Sequence, residues 1–224
     1  MGETLTHAAG LAGVFLTLTL IGFGLVLFAR PNLEVVSDTV IHSFLRSFAV
    51  GLLGQILILP TFGLLVAGLV LSVVGVLLVP FVIIVCALVV IVGVLGGFLA
   101  VAHAMGETHT RRRLAQGFIV PTNSYRYLLL GLGAVAAVWL AWVAFGWVPV
   151  AGTMILAAAA LATWFLATLG LGACVLSRVG IRPNFAGRYV PPEMLTDEYL
   201  WATPQAGVPA MPRPGAVRRD RPER

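Results

Sequence analysis

Residues 47–105 read SFAVGLLGQILILPTFGLLVAGLVLSVVGVLLVPFVIIVCALVVIVGVLGGFLAVAHAM, 59 residues without one formal charge. A helix crosses the hydrocarbon layer of a bilayer with about 20 mostly apolar residues, so this stretch is too long for one span and right for two. Gly and Pro interrupt it from Ser72-Val73-Val74-Gly75 through Pro80, where a turn is expected. The spans on either side are Phe44–Leu71 and Phe81–Ala104. Outward from there, a second charge-free stretch, Tyr127 to Ser177, divides at Gly146-Trp147-Val148-Pro149 into Tyr127–Trp147 and Val150–Leu176. A fifth span runs from about Ala8 to Ala29 and is closed by Arg30-Pro31, a charge and a helix stop together.

The whole composition agrees. The chain has 224 residues, 59% hydrophobic and 10% charged, with a mean hydropathy of +1.00. A soluble domain is about a quarter charged, so a soluble enzyme, a disordered chain and a disulfide-stapled secreted domain are all excluded. The fold class expected is all-α: a polytopic integral membrane protein with five transmembrane helices.

The arginines give the orientation. All fourteen basic residues are arginine. With five spans, segments 30–46, 105–126 and 177–224 share one side and hold every one of them, while the N-terminus and the turns at 72–80 and 147–149 hold none. Basic flanks stay cytoplasmic, so the N-terminus is expected outside and the C-terminus inside, in a bacterial inner membrane. Glu3 stands where a secretory signal carries basic residues, so the first span reads as an uncleaved anchor. The formal net charge of +5 then records orientation and an inner surface for anionic lipid or an acidic partner, and nucleic acid is not expected.

The expected organisation is an N-terminal span (1–29), an amphipathic cytoplasmic linker (30–46), a four-helix membrane domain (47–176) made of two hairpins joined by the arginine-rich loop 105–126, and a cytoplasmic tail (177–224). In the linker, Val35, Val36, Val40 and Ile41 form one face and Glu34 and Asp38 the other, with Asn32 or Ser37 as cap. The tail holds eight of the thirteen prolines. It is expected to form a short helix near 191–202, followed by an extended arm ordered by a partner.

Apart from Arg46 at the inner end of the second, the spans contain no Asp, Glu, Arg or Lys, residues that mark transport and proton paths when buried in a bilayer. Gln55 is expected to bond a neighbouring helix. His103, one turn from the inner interface, is expected to be wetted or phosphate-facing, with ligation of a metal or pigment through an imidazole nitrogen as the sharper alternative. Cys86 and Cys174 read as small buried hydrophobes on opposite faces. No catalytic arrangement of Ser, His and Asp, no zinc motif and no phosphate loop occurs in the sequence; no cofactor is required, though bound lipid or pigment would find contacts.

Small residues lie at four-residue spacing on several spans: Gly93 and Gly97, Gly63 and Ala67, with Gly131 and Gly170 at the inner ends of the last two. Such positions let helix backbones approach closely. Pro60 is expected to kink its span. Trp147 is expected to anchor the outer interface, and Trp164, near mid-membrane, to face lipid or a helix. Arg111, Arg112 and Arg113 are expected to touch anionic headgroups or a partner, as are Tyr199, Trp201, Arg218 and Arg219 on the tail.

Three stretches carry a family resemblance: Phe44-Leu-Arg-Ser-Phe through Gly51-Leu-Leu-Gly, Leu71-Ser-Val-Val-Gly-Val-Leu-Leu-Val-Pro80, and Gly170-Leu-Gly-Ala-Cys-Val-Leu-Ser-Arg-Val-Gly180. Through them residues 44–180, about three-fifths of the chain, resemble an uncharacterised bacterial membrane domain found alone or attached to bactofilin-type, polymer-forming cytoskeletal proteins. The resemblance implies a four-helix membrane module, here extended by a first span and a tail.

The function expected is that of a non-enzymatic accessory subunit. It would pack against other integral membrane subunits of a hetero-oligomeric complex through its helices and clamp them with the cytoplasmic arm. A bioenergetic complex, photosynthetic or respiratory, is a natural host because such assemblies recruit small hydrophobic chains. The alternatives are a small transporter or channel, which needs a polar path between spans, and a membrane anchor recruiting a cytoskeletal or signalling partner.

Overall fold

The computed structural model describes residues 2–72, 75–118, 123–181, 184–185 and 188–189. Among them are six helices: α1 (Gly2–Phe28), α2 (Arg30–His42), α3 (Phe44–Val70), α4 (Gly75–Ala115), α5 (Ser124–Phe145) and α6 (Pro149–Leu176). All but α2 are long and apolar enough to cross a membrane. The fold is all-helical as expected, with one small addition after α6, a two-residue antiparallel ladder of β1 (Asn184–Phe185) with β2 (Arg188–Tyr189). The short helix expected near 191–202 and the residues Tyr199, Trp201, Arg218 and Arg219 lie outside the described residues.

The turns fall where the breakers stand. Pro31 occupies the first turn of α2, where its missing N–H costs nothing. Asn123 caps α5, its side-chain oxygen accepting from the Tyr125 amide at 3.2 Å. The expected cap on α2 is absent: its first position is preceded by Ala29 with no side-chain cap bond. Asn32 donates instead to the Val179 carbonyl at 3.1 Å, tying α2 to the turn that follows α6. In that turn Arg178 and Val179 hold positive φ of 51° and 60°, conformations that cost a β-branched residue most.

The largest departure is α4. The expected span ends at Ala104 and the arginines follow in a loop, but α4 runs unbroken for 41 residues, about 62 Å at 1.5 Å per residue. That is twice the hydrocarbon thickness of about 30 Å. No proline stands between Ala104 and Gly117, Gly106 is held against the Tyr127 backbone, and Ala and Arg are good helix formers. The helix closes when Gly117 takes a φ of 86°, with Phe118 N–H bonding the Arg113 carbonyl at 3.2 Å and Gly117 N–H the Leu114 carbonyl at 3.0 Å. This is the Schellman arrangement, which needs a left-handed residue at that point. Arg111, Arg112 and Arg113 therefore ride on a helix.

Packing is concentrated at the arginine-bearing end. The buried residues there include Val26 at the end of α1, Leu33, Val36 and Val40 on α2, Phe98–Ala102 on α4, Leu128 and Leu132 at the start of α5, and Leu169 and Ala173 toward the end of α6. The amphipathic linker is thus part of the core. Its buried stripe is Leu33, Val36, Ser37 and Val40, at helical spacing, while Ile41, expected on that face, is exposed. At the other end, α3 beyond Gln55 and α4 before Val92 leave most of their large side chains uncovered, a surface that suits lipid or another helix and not water.

Candidate functional site

Glycine seams hold the closed end together. A side chain at Gly97 would meet the backbone of Gly170, and one at Gly170 the backbone of Gly97; two positions singled out from sequence are each other's partner. Gly131 lies against the Ala102 carbonyl, and Gly51 and Gly172 join α3 to α6 at Thr168 and Ser47. Gly93 makes a looser contact, with Leu171 Cδ1 3.6 Å from where a Cβ would stand. Gly63 and Ala67 do not belong to this packing: Gly63 has nothing within 4 Å, and both residues are exposed. Among the described residues, the outer half of α3 has no neighbouring helix close enough on that side. Gln55 does as expected, its Nε2 donating to Thr168 Oγ1 at 2.8 Å.

A polar pocket of about 350 Å³ sits beside this seam, between α2, α4 and the start of α5. Two arginine–carboxylate pairs, each one turn apart on its own helix, frame it: Arg30 Nε to Glu34 Oε1 at 2.7 Å and Arg111 to Glu107 Oε1 at 2.6 Å. Ser124 Oγ reaches Glu34 at 3.5 Å. Asp38 completes the ring, its carboxyl pushed above the ordinary range by burial first and then by the Glu107 charge.

His103 forms the inner wall and is 2% exposed. Its Nδ1 lies 3.3 Å from Ser37 Oγ and 4.0 Å from Glu107 Oε2, the Tyr127 ring meets it edge-on at 5.5 Å, and the buried Nε2 has no hydrogen-bond partner. The wetted imidazole expected from its place in the span is therefore replaced by an enclosed one, because α2 covers that end. Among the described residues no group of three or more His, Cys, Asp or Glu could hold a metal ion.

The three adjacent arginines have three different surroundings. Arg111 is spent on Glu107. Arg113 lies over the Phe118 ring, 5.6 Å from its centroid. Arg112 lines a larger groove of about 860 Å³ on the flank of the bundle, together with His109 and a series of apolar residues. A third cavity, about 750 Å³ and apolar, separates the outer halves of α3 and α4, with Cys86 and Thr61 in its lining.

The tryptophans mark the other end. Trp147 sits in the turn between α5 and α6, 76% exposed, its indole N–H donating to the Ala144 carbonyl at 3.0 Å. Trp139 donates to Thr163 Oγ1 at 3.0 Å, and Trp142 packs edge-on against both Trp139 and His7. Trp164 meets Phe48 edge-on and is otherwise partly exposed. Compared with family models, with curated proteins and with solved structures, the chain matches none.

Proposed function

We propose that the chain is a non-enzymatic membrane subunit whose closed, arginine-bearing end lies in the cytoplasm and whose open α3–α4 hairpin receives a transmembrane helix of a second membrane protein. The observation that carries this reading is the contrast between the two ends of one hairpin. At the arginine-bearing end, α3 and α4 are joined to α6 through Gly51, Gly97, Gly170 and Gly172. Toward the other end the same helices diverge around an apolar cleft, and α3 presents the exposed Ala67 with Gly63 and Gly68, which have no described residue within 4 Å of where a Cβ would stand.

Lipid covers such a surface without gaining from its small residues; another backbone gains, because small residues permit the close approach that stabilises helix pairs in a bilayer. The positive-inside rule supports the orientation. A transport path is disfavoured by Gln55, the one amide in the spans, which is bonded to Thr168.

Purification from native membranes followed by mass spectrometry tests the proposal. One membrane protein should accompany the chain in constant ratio, and Gly63→Ile should release it while leaving the chain folded. Recovery of the unmodified chain as a solitary monomer refutes the reading.

A further inference from the structure

The flank groove differs from the outer cleft in having a charged end. Its walls include Ile41, Phe44, Leu129, Leu130 and Leu166, and Arg112 with His109 stands at the end toward the α4 C-terminus. Among the described residues no carboxylate pairs with Arg112, although its neighbour Arg111 is paired. An unpaired guanidinium at the mouth of an apolar channel calls for an anion that carries its own apolar body.

The length of the groove narrows the choice. From Val101 to Arg112, α4 rises about 17 Å at 1.5 Å per residue, and half of a 30 Å hydrocarbon layer is about 15 Å. The groove is one leaflet deep. The volume of about 860 Å³ lies within the ordinary range for a small-molecule site.

We infer that this groove holds one anionic phospholipid of the leaflet at the arginine-bearing end, with its phosphate on Arg112 and an acyl chain along Leu130 and Leu166. A zwitterionic lipid fits the same walls less well, because its own cation offsets the charge that Arg112 seeks. The site is independent of the docking hairpin, and the lipid is retained whether or not a partner subunit is bound.

The test uses the full chain, purified in detergent and given equal amounts of phosphatidylglycerol and phosphatidylcholine with identical acyl chains. Native mass spectrometry then counts the bound lipids. Phosphatidylglycerol adducts should exceed phosphatidylcholine adducts about fivefold, the worth of one basic side chain at an anionic surface. Arg112→Gln should bring the ratio close to one, and Arg113→Gln should leave it unchanged. Gly133 lines the groove and has nothing within 4 Å of where a Cβ would stand, so Gly133→Leu fills the channel without a backbone clash and should lower both adducts. Equal adducts on the unmodified chain, equal sensitivity to Arg112→Gln and Arg113→Gln, or full retention in Gly133→Leu each overturn the inference and leave the groove to unselective lipid.

Discussion

Replacing Gly97 by alanine adds one methyl group at the point where α4 and α6 touch. That methyl would stand on the backbone of Gly170, against an ordinary van der Waals contact of 3.4–4 Å. The two helices must part by roughly 1 Å, and a gap of that size forfeits about a quarter to a half of the dispersion energy across the contact. Overpacking of a filled core costs about 1–3 kcal/mol. Alanine also gains close to 1 kcal/mol over glycine in helix propensity, so the cost is best read against a control that shares the gain. Gly63→Ala is that control, since Gly63 has open space around it. Denaturant titration in mixed micelles, followed by tryptophan fluorescence, should place Gly97→Ala about 1–3 kcal/mol below Gly63→Ala. Equal stability of the two variants would show that the Gly97–Gly170 contact does not hold the closed end together, and the packing account would fail.

The same titration checks three further outcomes. Gln55→Leu should cost about 0.6–1.7 kcal/mol, the range for polar bonds between membrane helices, and toward its low end because Thr168 keeps its own bond to the Trp164 carbonyl. Leu99→Ala, fully buried, should cost about 2–5 kcal/mol, whereas Leu77→Ala at the open end, 76% exposed, should stay within about 0.5 kcal/mol. Asp38 has a raised carboxyl pKa in the fold, so it holds its proton more tightly folded than unfolded. Its contribution is therefore full at and below the ordinary carboxylate range and is lost as pH rises through the folded value. Asp38→Asn should raise the unfolding midpoint at neutral pH and flatten its fall as pH rises above the ordinary carboxylate range.

The spans were legible because a bilayer imposes a length and a composition that few other structures share; Phe44 is the first residue of both the expected span and α3. The far end of α4 was not, because charge marks the edge of the hydrocarbon layer and not the end of a helix, and Arg111–Arg113 continue the helix to Gly117, where it closes. Gly97 and Gly170 were recognisable as close-approach positions, but only the folded chain pairs them. Gly51 and Gly106, equally tight, had a signal of the same kind: Ser47 and Ala102 precede them by four residues. That signal was diluted among 25 glycines. The polar pocket was invisible for a different reason. Glu34 and Asp38 lie on α2 and His103 and Glu107 on α4, and no local pattern reports that α2 folds back over the end of the bundle and makes His103 a core residue.

The docking claim is tested most directly in intact cells. A photo-crosslinking amino acid in place of Leu64, 76% exposed on the open half of α3, is activated, and the same residue in place of Leu20, 63% exposed on α1, serves as the comparison. The account predicts a discrete cross-link from position 64 to one membrane protein, weakened by Gly63→Ile, and none of that identity from position 20. Cross-links from position 64 to lipid alone, or the same products from both positions, would contradict it.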